Sequence, residues 1–345
     1  MATTKIVVKQ APKRQDIIME PERIITHTDF DGLISAAICS HITGCDRIIF
    51  TGPNSIARAE ISIDLRDIVC DLPYPLECGT WFDHHAGNRE ELKLRGIDIN
   101  DIPGAFSEEP SCARVIYNYY TERGQELPSY FENTVTEADI IDSFDYRSIE
   151  EWREERPGRM VDMSLKASFP DARIRTKYYS LLTSLIRDMP LEKVVLEEEV
   201  KHYIGVYRRE EGKIIELIEK CHFFYEEDVD REIIVVDVTD LRRKPRIIRN
   251  LAYLVHPSAL ASLLLVPIFR SGVKTNDFSV SMSLSMNMTS GDHGKDISEI
   301  MRSLNIGDGH PGAAAGIVRC GSKAEREKKK AEILDTIWQL WSEMN

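Results

Sequence analysis

Short apolar runs alternate with helix-like segments through the first 150 residues of the chain. Each run has the length of a buried strand and ends at a polar or glycine-containing turn. Because alternating strands and helices favour a parallel sheet with helices on its faces, we expect an α/β domain over residues 1–150. The predicted elements are strands at Arg23–Thr26, Arg47–Thr51, Asp67–Asp71 and Thr80–Asp83, a helix at Leu33–Thr43, and a helix from Pro110-Ser111 through Tyr120.

The hydrophobic pattern changes over residues 151–229, which we interpret as a helical connector. Apolar residues follow the helical period across Leu191–Cys221, so this segment is one long helix or two helices with a break. Both alternatives stay open because Gly205 and Gly212 each cost about 1 kcal/mol relative to alanine inside a helix.

A second alternation begins at Glu232 and predicts a smaller α/β domain with a mixed sheet over residues 230–345. Its strands are predicted at Ile233–Val236, Ala261–Phe269 and Phe278–Met286, the last with serines at every second position. Ser322 and Glu325 form a capping-box pattern before the final helix.

Composition narrows the class of protein. A chain of 345 residues suits two domains, and a net charge of −13 argues against binding long duplex nucleic acid. The seven cysteines show no Cys-x-x-Cys spacing, which indicates reduced thiols in a cytoplasmic protein. The apolar stretch Leu251–Phe269 contains His256, Pro257 and Pro267, so we interpret it as buried core and expect no membrane partner.

Ligand-type side chains follow two of the predicted strands. His27, Asp29 and Asp31 occupy alternate positions before Gly32, and on an extended backbone all three would point the same way. Three such side chains would repel one another without a cation. Asp83-His84-His85 follows the strand at Thr80, at the end of a strand where parallel sheets place their chemistry.

Two further stretches carry candidate chemistry. Asp139 and Asp142 are three residues apart and share a face if their segment is helical. Gly307–Gly316 is a glycine-rich stretch with His310 at its centre, and successive N–H groups in such turns can form an anion-binding concavity.

Together, His27-x-Asp29-x-Asp31-Gly32, Asp83-His84-His85 and Gly309-His310-Pro311-Gly312 resemble the DHH phosphoesterase superfamily with its DHH-associated C-terminal domain. That superfamily includes RecJ-type exonucleases, oligoribonucleases, cyclic-dinucleotide phosphodiesterases, manganese-dependent pyrophosphatases and exopolyphosphatases. The resemblance covers most of the chain and implies two lobes with an active site in the cleft between them.

The resemblance also implies a ligand set for two metal ions. His27 and Asp29 would bind one ion, and Asp31 and His84 the other. The bridging carboxylate is Asp71, which follows Ile68-Val69-Cys70, or Asp64, which follows Ile61-Ser62-Ile63, and we favour Asp71. For the last ligand of the second ion we favour Asp139 over Asp142. These assignments name the metal ligands His27, Asp29, Asp31, Asp71, His84 and Asp139.

Catalytic and substrate-binding roles follow by the same resemblance. Asp83 would orient its neighbours and His85 would reach the phosphate, while Gly309, His310 and Gly312 would hold a terminal phosphate or nucleotide. Arg270 is a further candidate phosphate donor. The sequence departs from the family pattern in two places. Asp308 stands where the family usually has glycine, and Ser279–Met286 lacks the basic residue that nucleic-acid-degrading members often carry. Both departures argue against a long polynucleotide substrate.

We therefore expect a manganese-dependent phosphoesterase with two Mn²⁺ ions, Mg²⁺ being the alternative metal. A hydroxide activated by both ions would hydrolyse a small phosphorylated substrate, such as a short oligonucleotide or a nucleotide phosphate. The competing hypotheses are an exopolyphosphatase or pyrophosphatase and a non-catalytic nucleotide-sensing module. The sequence leaves a homodimer open.

Overall fold

The computed structural model describes residues 20–289 and 294–344. These residues form two compact units. We call them the N-terminal unit (residues 20–143 and 155–204) and the C-terminal unit (residues 144–154 and 205–344). The division into three parts at residues 150 and 229 remains a prediction.

The N-terminal unit contains a five-stranded sheet of order β2-β1-β3-β4-β5. Every neighbouring pair is parallel, as predicted, so all five strands end at the same edge. One face of the sheet buries Ile25, Val69 and Trp81 in a core with Leu92 of the helix that follows β4. The strands are β1 (Arg23–Thr26), β2 (Ile48–Phe50), β3 (Asp67–Cys70), β4 (Thr80–Asp83) and β5 (Gly104–Phe106).

The first helix is buried over most of its length, with every residue from 30 to 40 buried. It begins at an Asp29 cap and ends at Gly44, whose left-handed φ of 72° stops the helix. The first nine helices are α1 (Phe30–Thr43), α2 (Pro53–Ala57), α3 (Ala86–Leu94), α4 (Cys112–Thr121), α5 (Tyr130–Ser143), α6 (Ile149–Arg153, in the C-terminal unit), α7 (Pro157–Leu165), α8 (Ala172–Asp188) and α9 (Leu191–Val194).

The segment Leu191–Cys221 forms two helices, since α9 is followed by α10 (Glu198–Cys221). Gly205 and Gly212 both lie inside α10, so the break falls earlier than the two glycines suggested. The buried positions Val200, Ile204, Ile214 and Ile218 explain why α10 tolerates them, because packing of an apolar face outweighs the propensity cost.

The C-terminal unit contains a mixed six-stranded sheet of order β10-β11-β9-β8-β7-β6. The β7–β8 pair is parallel and its other neighbouring pairs are antiparallel. The strands are β6 (His222–Phe223), β7 (Ile233–Asp237), β8 (Ala261–Arg270), β9 (Val273–Leu284), β10 (Gly307–His310) and β11 (Ala313–Val318), and the helices are α11 (Ala252–Val255), α12 (Met286–Thr289), α13 (Ile297–Ser303) and α14 (Lys323–Glu343).

One face of this sheet packs on α13 and α14. Val280, Met282 and Leu284 of β9 are buried in a core shared with Ile337 and Trp341 of α14. The Ser322 hydroxyl caps α14 by accepting from the Glu325 N–H, as the sequence pattern predicts. Among the described helices, none combines the length and apolar character that a membrane span requires.

Candidate metal centre

The connection from β1 to α1 brings His27 and Asp29 together. One Asp29 oxygen accepts from the Gly32 N–H at 3.0 Å, and the other lies 2.5 Å from His27 Nδ1. A Cβ on Gly32 would lie 2.6 Å from the His27 carbonyl oxygen, so the close start of α1 requires glycine. This geometry differs from the predicted extended alternation, because Asp31 lies in the first turn of α1.

Asp31 is anchored by the N-terminus of another helix. Its two oxygens accept from the backbone N–H groups of Cys112 and Ala113 in α4, at 2.7 and 2.8 Å. The exposed N–H groups of a helix N-terminus favour a carboxylate at this position. The side chain is fully buried and lies 3.8 Å from His84 Nε2.

Asp71 lies at the centre of the site, directly after β3. Its backbone is left-handed, with a φ of 56°, and its N–H donates to the Phe82 carbonyl at 3.0 Å. One carboxylate oxygen is 3.5 Å from His27 Nδ1, and the other is 3.8 Å from both His84 Nε2 and His85 Nδ1. Asp64, the alternative bridging residue, is instead half exposed and interacts with Arg66.

The end of β4 supplies Asp83, His84 and His85. Asp83 is fully buried, and its two oxygens accept from His85 Nδ1 at 2.8 Å and from Asn88 Nδ2 at 2.6 Å. His84 Nδ1 lies 3.0 Å from the Glu109 carbonyl, which can only accept, so Nδ1 carries the proton. In a neutral ring Nε2 is then an acceptor that points at the carboxylates.

The two α5 carboxylates have different surroundings. Asp142 Oδ2 lies 3.4 Å from His84 Nε2, so the geometry favours Asp142 as the α5 member of the cluster. Asp139, which we favoured from sequence, accepts from Arg114 Nε and Nη2 at 2.9 and 2.6 Å and from the Ser111 hydroxyl at 2.7 Å. Its charge is thus compensated by protein, so the geometry favours Asp142 over Asp139, and the choice of ligand remains a proposal.

The ligand atoms converge in three overlapping sets. Within each set, one nitrogen or oxygen atom per residue lies within 4.8 Å of the others. Asp71 belongs to two of the sets and His84 to two, so the three sets join into one continuous cluster. Their members are His27 with Asp29 and Asp71, Asp71 with His84 and His85, and Asp31 with His84 and Asp142.

The electrostatics of this cluster fit divalent cations. Asp71 Oδ2 and His84 Nε2 are buried and have no hydrogen-bond partner in the described part of the chain. Burial and the charge of Asp29 raise the pKa of Asp31 to about 7, and burial and Asp31 raise the pKa of Asp142 to about 7. Burial and the other carboxylates also raise the pKa of Asp71 well above its usual range. Adjacent cations would relieve this repulsion.

The pKa values of His27 and His85, the two imidazoles nearest the carboxylates, are also raised. Burial lowers the pKa of His27, but the hydrogen bond and charge of Asp29 outweigh it, so the net shift is upward. The pKa of His85 is likewise raised, because the hydrogen bond with Asp83 outweighs burial. Asp83 therefore shifts the titration of His85 toward higher pH.

The glycine-rich stretch predicted as an anion-binding loop is a β-hairpin formed by β10 and β11. A Cβ on Gly309 would lie 2.5 Å from the Ala313 carbonyl oxygen, so close pairing with β11 explains this glycine. Gly312 lies in the turn. The side chain of His310 lies outside the described parts of the structure. Arg270 is 63% exposed and donates to Asp277 at 2.7 Å.

Two residues with supporting roles had no assignment from sequence, and a third, Ser111, is expected from sequence only as the N-cap of α4, a role that the structure confirms. Asn88 holds the second oxygen of Asp83, while Ser111 and Arg114 fix Asp139 to α4. Asn88 could have been found, because it follows the Asp-His-His triplet at the start of a helix. Arg114 could not, since its partner lies 25 residues away.

The parallel sheet and the mixed C-terminal sheet give the chain a fold that it shares with solved structures, one of which is described as a DHH domain. No family model and no curated protein sequence matches the chain. Solved structures do match it. The pGpG-specific phosphodiesterase PggH from Vibrio cholerae is similar with a TM-score of 0.68 at 20% identity, over 92% of this chain and 99% of that chain.

Two more structures share the fold at lower identity. The DHH domain of a member of a ribosomal-protein family has a TM-score of 0.55 at 11% identity, over 94% of this chain and 87% of that one. RecJ from Thermus thermophilus, solved in complex with Mn²⁺, has a TM-score of 0.50 at 13% identity, over 92% of this chain and 52% of RecJ.

Proposed function

We propose that this protein is a metal-dependent phosphoesterase that hydrolyses a small phosphorylated substrate. The observation that carries the proposal is the convergence of carboxylates and imidazoles in three overlapping sets, with two buried ligand atoms lacking partners among the described residues. A purely structural cluster would satisfy these atoms with hydrogen bonds. The fold shared with a phosphodiesterase supports the same reaction class.

In this proposal His27, Asp29 and Asp71 would hold one cation, and Asp31, His84 and Asp142 would hold the other. Two bound divalent cations supply an activated water and stabilise the charge that develops on the phosphoryl oxygens. Mn²⁺ suits this mixed nitrogen and oxygen set, and Mg²⁺ is the alternative. A RecJ structure of the same fold contains Mn²⁺ and another contains Mg²⁺.

His85 is the proposed catalytic residue of the protein itself. Asp83 fixes the ring through Nδ1 and favours its cationic form, which suits His85 to donate a hydrogen bond to a phosphoryl oxygen. Asn88 fixes Asp83 in turn at 2.6 Å. Asp83 and Asn88 are therefore positioning residues.

A short oligonucleotide is the substrate class we favour. PggH, which is similar over nearly its whole length, is named as specific for pGpG, a dinucleotide with a 5′ phosphate. The net charge of −13 argues against a long polyanionic substrate. We therefore expect a linear dinucleotide to be hydrolysed faster than polyphosphate or a long single strand.

The test is a substrate comparison on protein that is stripped with a chelator and reconstituted with Mn²⁺. The substrates are pGpG, a generic phosphodiester, a generic phosphomonoester and polyphosphate. His84→Ala should abolish turnover, and His202→Ala is the matched control because it removes an exposed histidine of α10. No release from any substrate with Mn²⁺ bound would refute the proposal and favour a nucleotide-sensing module.

A further inference from the structure

The connection from β5 to α4, residues 107–111, holds two members of the ligand cluster. The Glu109 carbonyl accepts from His84 Nδ1 at 3.0 Å. Ser111 caps α4, and the first amides of that helix hold Asp31 at 2.7 and 2.8 Å. The placement of this short segment therefore affects the orientation of both ligands.

Arg89 of α3 contacts the same connection. Its Nη1 lies 2.5 Å from Glu108 Oε1, and its guanidinium carbon lies 6.0 Å from the centre of the Phe106 ring at the end of β5. The Phe106 ring is stacked on Trp81 with the ring centres 5.9 Å apart, so packing already fixes the start of the connection. Arg89 adds a charged contact to the residue directly before Glu109.

Other polar contacts restrain this turn less closely. The Glu109 N–H donates to the Ser107 carbonyl at 2.8 Å, which shapes the turn but does not tie it to a helix. Glu109 Oε1 lies 3.5 Å from Asn118 Nδ2 of α4, which is long for a hydrogen bond. Among the described residues, the Arg89–Glu108 pair is therefore the closest polar side-chain contact between residues 107–109 and a helix.

We infer that Arg89 is a positioning residue of the metal centre, because through Glu108 it keeps the Glu109 carbonyl on the imidazole of His84. That carbonyl holds the proton on Nδ1 and leaves Nε2 as the acceptor that faces the carboxylates. A metal-binding histidine commonly has its second nitrogen fixed in this way. The inference rests on the proposed metal centre. Arg89 acts through Glu108 and Glu109, so it is not a catalytic residue.

The direction of the effect separates positioning from simple electrostatics. Loss of a positive charge near clustered carboxylates would by itself strengthen the binding of a divalent cation. A less firmly held Glu109 carbonyl would weaken it, because His84 would then populate the other tautomer. Removal of a direct partner of a ligand typically costs about 10- to 100-fold in metal affinity, so Arg89→Met, one step further away, should weaken Mn²⁺ binding about three- to tenfold.

The first measurement is calorimetric titration of Mn²⁺ into the full-length protein after the metal has been stripped with a chelator. The exchanged pair Arg89→Glu with Glu108→Arg should recover most of the affinity that Arg89→Met loses. Lys93→Met is the control, since it removes a cation of the same helix that pairs with Glu90 at 2.6 Å, and it should leave the affinity unchanged. All variants should keep a Tm close to wild type, because exposed ion pairs contribute little to stability.

The second measurement is the tautomer of His84 in the metal-free protein, read from ¹⁵N NMR of the imidazole. Wild type should carry the proton on Nδ1, and Arg89→Met should show a mixture of tautomers. Glu108→Gln removes the other partner and should show the same mixture, so it serves if Arg89→Met fails to fold.

The tautomer measurement needs neither metal nor turnover, so the inference and the proposed function fail separately. A wild type that bound no Mn²⁺ would refute the metal centre and with it this role for Arg89. If the wild type bound Mn²⁺, an affinity in folded Arg89→Met equal to or above wild type would overturn the inference alone. An unchanged His84 tautomer in Arg89→Met and in Glu108→Gln would also overturn it.

Discussion

Asp142 and Asp139 provide a matched pair of substitutions, because they lie on the same helix and differ in what surrounds them. In the metal-free protein, burial, Asp31 and Asp29 all disfavour the charged form of Asp142. Asp142→Asn removes that charge at nearly constant volume. We therefore expect the metal-free Tm to stay level or rise, while turnover falls by at least about 100-fold, or about 2.7 kcal/mol in transition-state stabilisation.

Asp139→Asn should have the opposite effect. The Asp139 carboxylate accepts two hydrogen bonds from Arg114, and the side chains of both residues are at most 20% exposed. Hydrogen bonds to charged groups contribute about 1.5–3 kcal/mol, so the free energy of unfolding should fall by about 1–3 kcal/mol. Turnover should fall by about tenfold at most, because Asp139 acts only by fixing α4 against Asp31.

The assay combines steady-state kinetics in Mn²⁺ with thermal unfolding in the presence and absence of a chelator. The two variants should separate, one losing activity and the other losing stability. If Asp139→Asn lost activity as severely as Asp142→Asn and kept the wild-type Tm, Asp139 would be the better ligand candidate and our assignment on α5 would be wrong.

Removing the metal with a chelator should lower the Tm of the wild type and abolish turnover, since the clustered carboxylates lose their cations; an unchanged Tm and rate would contradict the metal centre. Asn88→Ala should lower kcat more than it raises KM, because Asp83 would lose a hydrogen bond and would hold His85 less firmly. An unaltered kcat would show that Asn88 is not a positioning residue. Gly309→Ala should lower the free energy of unfolding by about 1–3 kcal/mol, because its Cβ would lie 2.5 Å from a backbone oxygen of β11. Gly312→Ala should leave the stability unchanged, because a Cβ there would have no atom within 4 Å. Denaturant unfolding of the two glycine variants checks this last pair, and equal stabilities would refute the steric reasoning.

Strand ends explain why much of the site could be predicted from sequence. His27, Asp71 and Asp83 each follow or end a short apolar run, and parallel strands bring such residues to one edge without further information. The choice between Asp139 and Asp142 could not be made in this way. Both share a helical face, and the choice depends on Arg114, which folding brings to Asp139 from another helix.

The glycine-rich stretch shows a different limit of the sequence. Glycine permits both an open anion-binding turn and the close pairing of two strands, so local preference does not decide between them. Pairing of β11 with β9 decides it, with Ala314 opposite Met282. Similarly, packing of α10 overrides the helix-breaking tendency of Gly205 and Gly212.

The anchoring of Asp31 on α4 has a consequence for synthesis of the chain on the ribosome. The two amides that hold this carboxylate lie 81 and 82 residues further along, and Asp142 comes later still. A nascent chain that ends before α4 already contains five of these residues, His27, Asp29, Asp31, Asp71 and His84. It lacks α4, the helix whose amides hold Asp31. Capacity to capture cations tightly should therefore arise only after α4 and α5 have left the exit tunnel, while much of the C-terminal unit is still to be synthesised.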